Sequence, residues 1–93
     1  MYYTYVLLSS KEGRWYTGAA SDLRVRLNEH ETGRVASTRF RRPLRLIYYE
    51  ACLDAEDAFR RERYLKTGRG KRYLRQRLKA SLSRLRQEKL ERD

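Results

Sequence analysis

Ninety-three residues suffice for one small domain, whose core must draw heavily on eight tyrosines, two phenylalanines and Trp15. A single cysteine, Cys52, excludes an internal disulfide and a thiolate metal cluster and fits a reducing, cytoplasmic setting; no apolar run reaches the ~20 residues of a bilayer span, and no signal-peptide pattern opens the chain. The formal net charge is +11, from 23 Lys and Arg against 12 Asp and Glu, and it is unevenly spread. Residues 1–33 carry four basic and four acidic side chains, whereas residues 34–45 hold five arginines and no acid. Residues 46–59 hold four acids and no base, and residues 60–93 carry fourteen basic against four acidic side chains. Positive charge concentrated in one loop and the C-terminal half, and dominated by the phosphate-forking arginine, points to nucleic acid. The plainer reading is a solubilising face on basic helices.

The first element, YYTYVLLSS, is β-branched and aromatic and reads as a strand. KEG supplies a turn and RWYTGAA a second strand, so residues 2–20 form a β-hairpin. SDLRVRLNEHETG opens on cap candidates Ser21 and Asp22 and closes at Gly33, a helix of about three turns. RVASTRFRRP is a basic loop ending at Pro43, the only proline, and LRLIYYEACL is a third strand. Asp54 caps a helix with Glu56 and Asp57 at its positive end, and that helix stops at TGRG. A last helix begins near Lys71, with a stripe of Leu74, Leu78, Leu82 and Leu85. The expected class is α+β: one domain over 1–93, a three-stranded antiparallel sheet flanked by helices in the order ββα-βαα. Its core covers about 2–78, and 79–93 form a basic helical extension.

Several polar residues fall where a core should be. On a wheel with Leu23 at zero, Leu27 lies near 40°, Arg26 near −60° and His30 near −20°, at about 100° per residue. The only histidine is therefore inside the leucine stripe, and Arg26 is on its shoulder. A guanidinium there needs a carboxylate, a phosphate or a metal-bound anion to offset desolvation. In the next long helix Ala55, Ala58, Phe59 and Leu65 make the apolar face, with Glu62 in its middle. That carboxylate suits either a hard cation such as Mg²⁺ or an ion pair with Lys66 or Arg26, and the ion pair is the simpler account of Glu62 alone. If Leu7 faces Tyr16 across the hairpin, then Tyr5 faces Gly18 and both phenols share one sheet face. Tyrosines are ordinary strand residues, but five inward polar groups from three elements are costly as structure alone. A site where phosphate meets metal accommodates all of them.

At these residues the sequence closely resembles the GIY-YIG nuclease superfamily, in particular its small single-domain members. The first motif is present as Tyr3-Thr4-Tyr5 and the second as Tyr16-Thr17-Gly18. They are followed by DLRVRLNEH with Gly33, STRFRRPLRLIYYE and RRERYLKTGRGKR. The motifs are short, but their order with the Arg-x-x-x-His helix and a glutamate before Lys-Thr makes the combination specific. The resemblance implies a Mg²⁺- or Mn²⁺-dependent endonuclease hydrolysing DNA phosphodiesters, on structured or single-stranded DNA in repair or recombination. In those terms Tyr5 helps deprotonate the attacking water, Tyr16 holds the water or scissile phosphate, Arg26 binds the phosphate, His30 hydrogen-bonds the phenol or water, and Glu62 holds the metal. A free phenol, pKa about 10, is a weak base at neutral pH, so cation and arginine must favour the phenolate. Tyr3-Thr4 and Thr17 replace the Gly-Ile and Ile that name the motifs. The family's late asparagine has no counterpart, since Asn28 is the only asparagine.

The expected partner is nucleic acid, DNA ahead of RNA, with no membrane and with a protein partner left open. The expected phosphate contacts are Arg39, Arg41 and Arg42 of the loop and Lys66, Arg69, Lys71 and Arg72, with Gly68 and Gly70 letting backbone amides approach an anion. Two other readings stand beside the nuclease: a non-catalytic nucleic-acid-binding module on the same scaffold, and a basic domain that docks partners through its leucine stripe.

Overall fold

A computed structural model describes residues 1–92. Three strands, β1 (Tyr2–Ser9), β2 (Trp15–Ala20) and β3 (Leu44–Cys52), form an antiparallel sheet in the order β2-β1-β3. Four helices complete the fold: α1 (Leu23–Glu31), α2 (Ala55–Leu65), α3 (Gly68–Arg77) and α4 (Lys79–Arg92), with a 3₁₀ turn at Arg39–Arg41 inside the basic loop. The class is the α+β arrangement expected. The hairpin register is also the expected one, pairing Leu7 with Tyr16 and Tyr5 with Gly18. The turn closes through Gly13, whose N–H donates to the Ser9 carbonyl at φ +74°, a conformation glycine adopts without strain.

The sheet has two differently used faces. Alternation along β1 sends Thr4 and Val6 one way and Tyr5 and Leu7 the other. The Thr4–Val6 face meets α2 and α3. Val6, Leu65, Leu74 and Leu78 form the buried core there, with Trp15, Ile47, Tyr48 and Leu82 packed against it. The Thr4 hydroxyl donates to the Ala58 carbonyl at 3.0 Å, which brings α2 down close to β1. Ala58 makes that contact, and Phe59, the next residue, is not part of the apolar face as the periodicity predicts; it turns outward and is 51% exposed. On this side Tyr48 donates to Glu50, which is ion-paired with Arg61, and the Arg61 guanidinium lies over the Tyr73 ring at 4.8 Å.

The C-terminal helix differs most from expectation. Helix α2 stops before TGRG as expected, but the next helix follows at once: Thr67 accepts from the Gly70 N–H at 3.1 Å and caps α3, which starts at Gly68 rather than near Lys71. Gly70 is buried because α3 folds back tightly on the end of α2; a Cβ there would lie 2.5 Å from Leu65 Cα. Its amide is engaged by Thr67, so the anion-approach role expected of Gly70 is overturned. The expected single helix is also divided, with Leu78 as the C-cap between α3 and α4. Leu74 and Leu78 of the leucine stripe are buried in the chain's own core, and Leu82 packs on them, which removes most of the stripe as a docking surface.

Candidate active site

Helix α1 sits over the Tyr5–Leu7 face. Asp22 caps it by accepting from the Val25 N–H at 3.1 Å, and Gly33 terminates it at φ +78°. This frame presents His30 to the sheet, 1% exposed, as the wheel predicts. Its ring meets both motif tyrosines edge-on, at 5.6 Å from Tyr5 and 5.1 Å from Tyr16 between centroids. The two phenol rings are 6.4 Å apart. Gly18 makes room for them, because a Cβ there would lie 2.5 Å from the Tyr5 hydroxyl. Tyr5, Tyr16, Arg26 and His30 are thus brought into one region from β1, β2 and α1.

The polar contacts form a chain. The Tyr5 hydroxyl is 2.7 Å from His30 Nε2, and His30 Nδ1 is 2.7 Å from the hydroxyl of Thr38. Thr38 is fully buried and comes from the basic loop, eight residues beyond the histidine. No spacing or periodicity marks it in the sequence, since only closure of the loop onto α1 brings it there.

Burial, and next the Arg26 charge, push the His30 imidazole down to about 4, so the ring is neutral at pH 7. Burial also raises the Tyr5 phenol; Arg26 beside it acts in the opposite direction and is outweighed. Tyr5 is therefore protonated in the resting protein, with its ring wholly buried, while Tyr16 and Arg26 are part-exposed and lie nearer solvent. The Arg26 guanidinium pairs with Glu29 at 3.4 Å, the i,i+3 neighbour on its own helix, and not with Glu62.

Glu62 is 20% exposed and pairs with Lys66 at 3.2 Å, so one of the two ion pairs open to it in the sequence forms. Among the described residues no group of three or more His, Cys, Asp or Glu side chains stands together to hold a metal. One hard carboxylate oxygen is too little for Zn²⁺ or for a caged Ca²⁺. It suits Mg²⁺, which keeps several waters and takes its other ligands from substrate phosphate.

The expected phosphate ligands differ in availability. Arg41 is held by Glu12 at 2.7 Å and donates to the Trp15 carbonyl, with its side chain 22% exposed. Arg42 donates to the carbonyls of Arg39 and Glu31 and crosses the end of α1. Both act as braces of the loop. Arg39 is exposed and its guanidinium stacks on the Phe40 ring at 4.9 Å; Phe40 itself is 73% exposed. Arg69, Lys71 and Arg72 are exposed on the first turns of α3.

The family model of the GIY-YIG catalytic domain matches residues 1–80. The chain belongs to the GIY-YIG family, whose nucleases act on nucleic acid. Its relatives include the UPF0213 protein SAG0778 of Streptococcus agalactiae, 45% identical over 65 residues that cover 69% of this chain and 73% of that one. The UPF0213 protein SSP2268 of Staphylococcus saprophyticus is 37% identical over 67 residues, covering 71% and 80% respectively. Among solved structures, the solution NMR structure of the UPF0213 protein BH0048 from Bacillus halodurans is similar at 37% identity and TM-score 0.49, covering 80% of this chain and 82% of that one. No helix among the described residues is long and apolar enough to cross a membrane.

Proposed function

We propose that this protein is a divalent-metal-dependent endonuclease that hydrolyses phosphodiester bonds in DNA, acting on strands that are unpaired or branched. The observation that carries the reading is the convergence of Tyr5, Tyr16, Arg26 and His30 above Gly18. Substrate meets Arg26 and Tyr16 first, because they are nearer solvent than Tyr5. Arg26 exchanges its weak, part-exposed pairing with Glu29 for a phosphate oxygen, where a fork of N–H donors is better matched. Its movement opens the way to the Tyr5 hydroxyl. Water held by Tyr16 then attacks phosphorus and gives its proton to Tyr5, whose own proton passes along the existing hydrogen bond to His30 Nε2. The bond from phosphorus to the leaving oxygen breaks, and that oxygen takes a proton from solvent. Glu62 would hold Mg²⁺ or Mn²⁺, whose positive charge stabilises the charge developing on phosphate oxygens. Lys66 must give up Glu62 for this, and is then free to approach a neighbouring phosphate.

Preference for unpaired strands rests on Phe40 and its stacked Arg39. Exposed aromatics beside cationic side chains offer a platform on which bases stack whatever their identity. Exposed Arg39, Arg69, Lys71 and Arg72 supply the backbone contacts, with Arg41 and Arg42 acting mainly as braces. The reading is tested on a panel of duplex, forked and single-stranded DNAs with Mg²⁺ and with EDTA. Metal-dependent cleavage is expected, lost in Tyr5→Phe and Glu62→Ala. Cleavage that both variants retain in full would belong to a contaminant. The Lys66–Glu62 pair favours one rival, a module that binds nucleic acid without cutting it. That rival predicts salt-sensitive binding across the panel and no turnover with any metal.

A further inference from the structure

Threonine 38 occupies the N-cap position of the 3₁₀ turn, where a threonine hydroxyl ordinarily accepts from the turn's own N–H groups. It makes no such bond. The backbone of the turn is closed without it, by Thr38 N–H and Arg39 N–H donating to the Val35 carbonyl and Arg41 N–H donating to the Thr38 carbonyl. The hydroxyl instead lies 2.7 Å from His30 Nδ1 in a fully buried position. The loop that delivers it is anchored at the last residue of the turn. Ser9 donates to the Arg41 carbonyl at 2.6 Å, and the Arg41 side chain is held by Glu12. A buried hydroxyl left out of its local capping role, on a loop fixed from outside, is placed for the histidine.

The direction of the two hydrogen bonds is set by which ring nitrogen carries the hydrogen. A neutral imidazole has one N–H donor and one lone-pair acceptor. The Tyr5 hydroxyl has His30 Nε2 at 2.7 Å and the Arg26 guanidinium beside it. A guanidinium only donates, so in the arrangement proposed here the phenolic hydrogen goes to Nε2, and Nδ1 carries the ring hydrogen and donates to Thr38. We propose that Thr38 is a positioning residue that holds His30 in its Nδ1–H tautomer, so that the Nε2 lone pair faces the Tyr5 hydroxyl. Its catalytic meaning rests on the nuclease reading above. When the Tyr5 proton moves to Nε2, the Nδ1–H bond to Thr38 is already made and the ring need not turn. A hydroxyl partner, unlike a carboxylate, fixes this orientation without placing negative charge against the ring.

The tautomer is read directly from the ¹⁵N shifts of the His30 ring and their long-range proton couplings, at neutral pH. The wild-type protein is expected to show a pyrrole-like Nδ1 and a pyridine-like Nε2. Thr38→Val, which keeps the shape and removes the hydroxyl, is expected to shift both nitrogens toward a mixed tautomer. Thr38→Ser is expected to restore the wild-type pattern. On cleavable DNA, Thr38→Val should lower kcat about 10–100-fold with KM little changed, as removal of an orienting partner does elsewhere, and Thr38→Ser should recover most of the rate. A wild-type ring protonated at Nε2, or ring shifts unchanged in Thr38→Val, overturns the assignment. Wild-type protein with the expected tautomer and no cleavage of any DNA defeats the nuclease reading instead, and leaves Thr38's hold on His30 standing.

Discussion

Mild acid should remove a definable part of this protein's stability through one side chain, His30. Burial and the neighbouring Arg26 hold its imidazole at about 4, against 6.5 for the free side chain. The folded state therefore resists a proton that the unfolded chain accepts. The unfolded chain binds more protons between those two values, so the contribution is complete above about pH 6.5 and declines as pH falls toward about 4. The separation corresponds to ~3 kcal/mol in all, of which roughly 2 kcal/mol is lost between about pH 7 and about pH 5. That is a large fraction of the ~5–14 kcal/mol expected of a 93-residue domain. Urea unfolding at several pH values, in wild type and in His30→Gln, isolates the effect, because every other titrating group is common to both. The wild type should lose about 2 kcal/mol more than the variant over that range. Parallel stability curves would show that the ring is not held neutral by its surroundings, and with that the hydrogen-bond chain through Tyr5 and Thr38 would lose its basis.

The helix junction makes a sharp paired prediction. Gly70→Ala should cost about 1–3 kcal/mol by overpacking, since its Cβ would meet the α2 backbone at Leu65, whereas Gly68→Ala, with nothing within 4 Å, should be neutral or stabilise slightly. Denaturant midpoints of the two variants check this, and equal midpoints would contradict the packing described. Gly18→Ala should displace the Tyr5 hydroxyl that its Cβ would approach at 2.5 Å; it should break the bond to His30, visible in the ring ¹⁵N shifts, and abolish cleavage. Within the basic loop, Arg39→Ala should weaken DNA binding and reduce the salt slope by about one. Arg41→Ala should act mainly on stability, because its guanidinium is already engaged by Glu12 and Trp15; a loss of salt slope equal to that of Arg39→Ala would return it to the binding surface.

Much of the site is legible in the chain because it is built on local periodicity. A two-residue repeat and a short turn place Tyr5 and Tyr16 on one face opposite Gly18, and a hundred-degree helical repeat turns His30 inward with Leu23 and Leu27. Such arguments hold wherever one element is regular and its neighbour is close in sequence. They fail where packing between distant elements decides. Phe59 lies at an apolar position of its helix, yet α2 approaches Thr4 through Ala58 and Phe59 stands exposed. TGRG does stop α2, but nothing local shows that Thr67 caps a second helix at once and that Gly70 admits it against the first.

By itself, then, the sequence determined the sheet, its register, the inward set of Tyr5, Tyr16, Arg26 and His30, and the family, since each is written in short-range pattern. Only the tertiary structure decided which partners those groups take. Arg41 turns to Glu12 and His30 to a threonine delivered by a loop, while Arg26 and Glu62 keep partners one turn away on their own helices, Glu29 and Lys66. The physical reason is that hydrogen bonds and ion pairs act over about 3 Å, and which polar groups come that close depends on how the whole chain closes on itself.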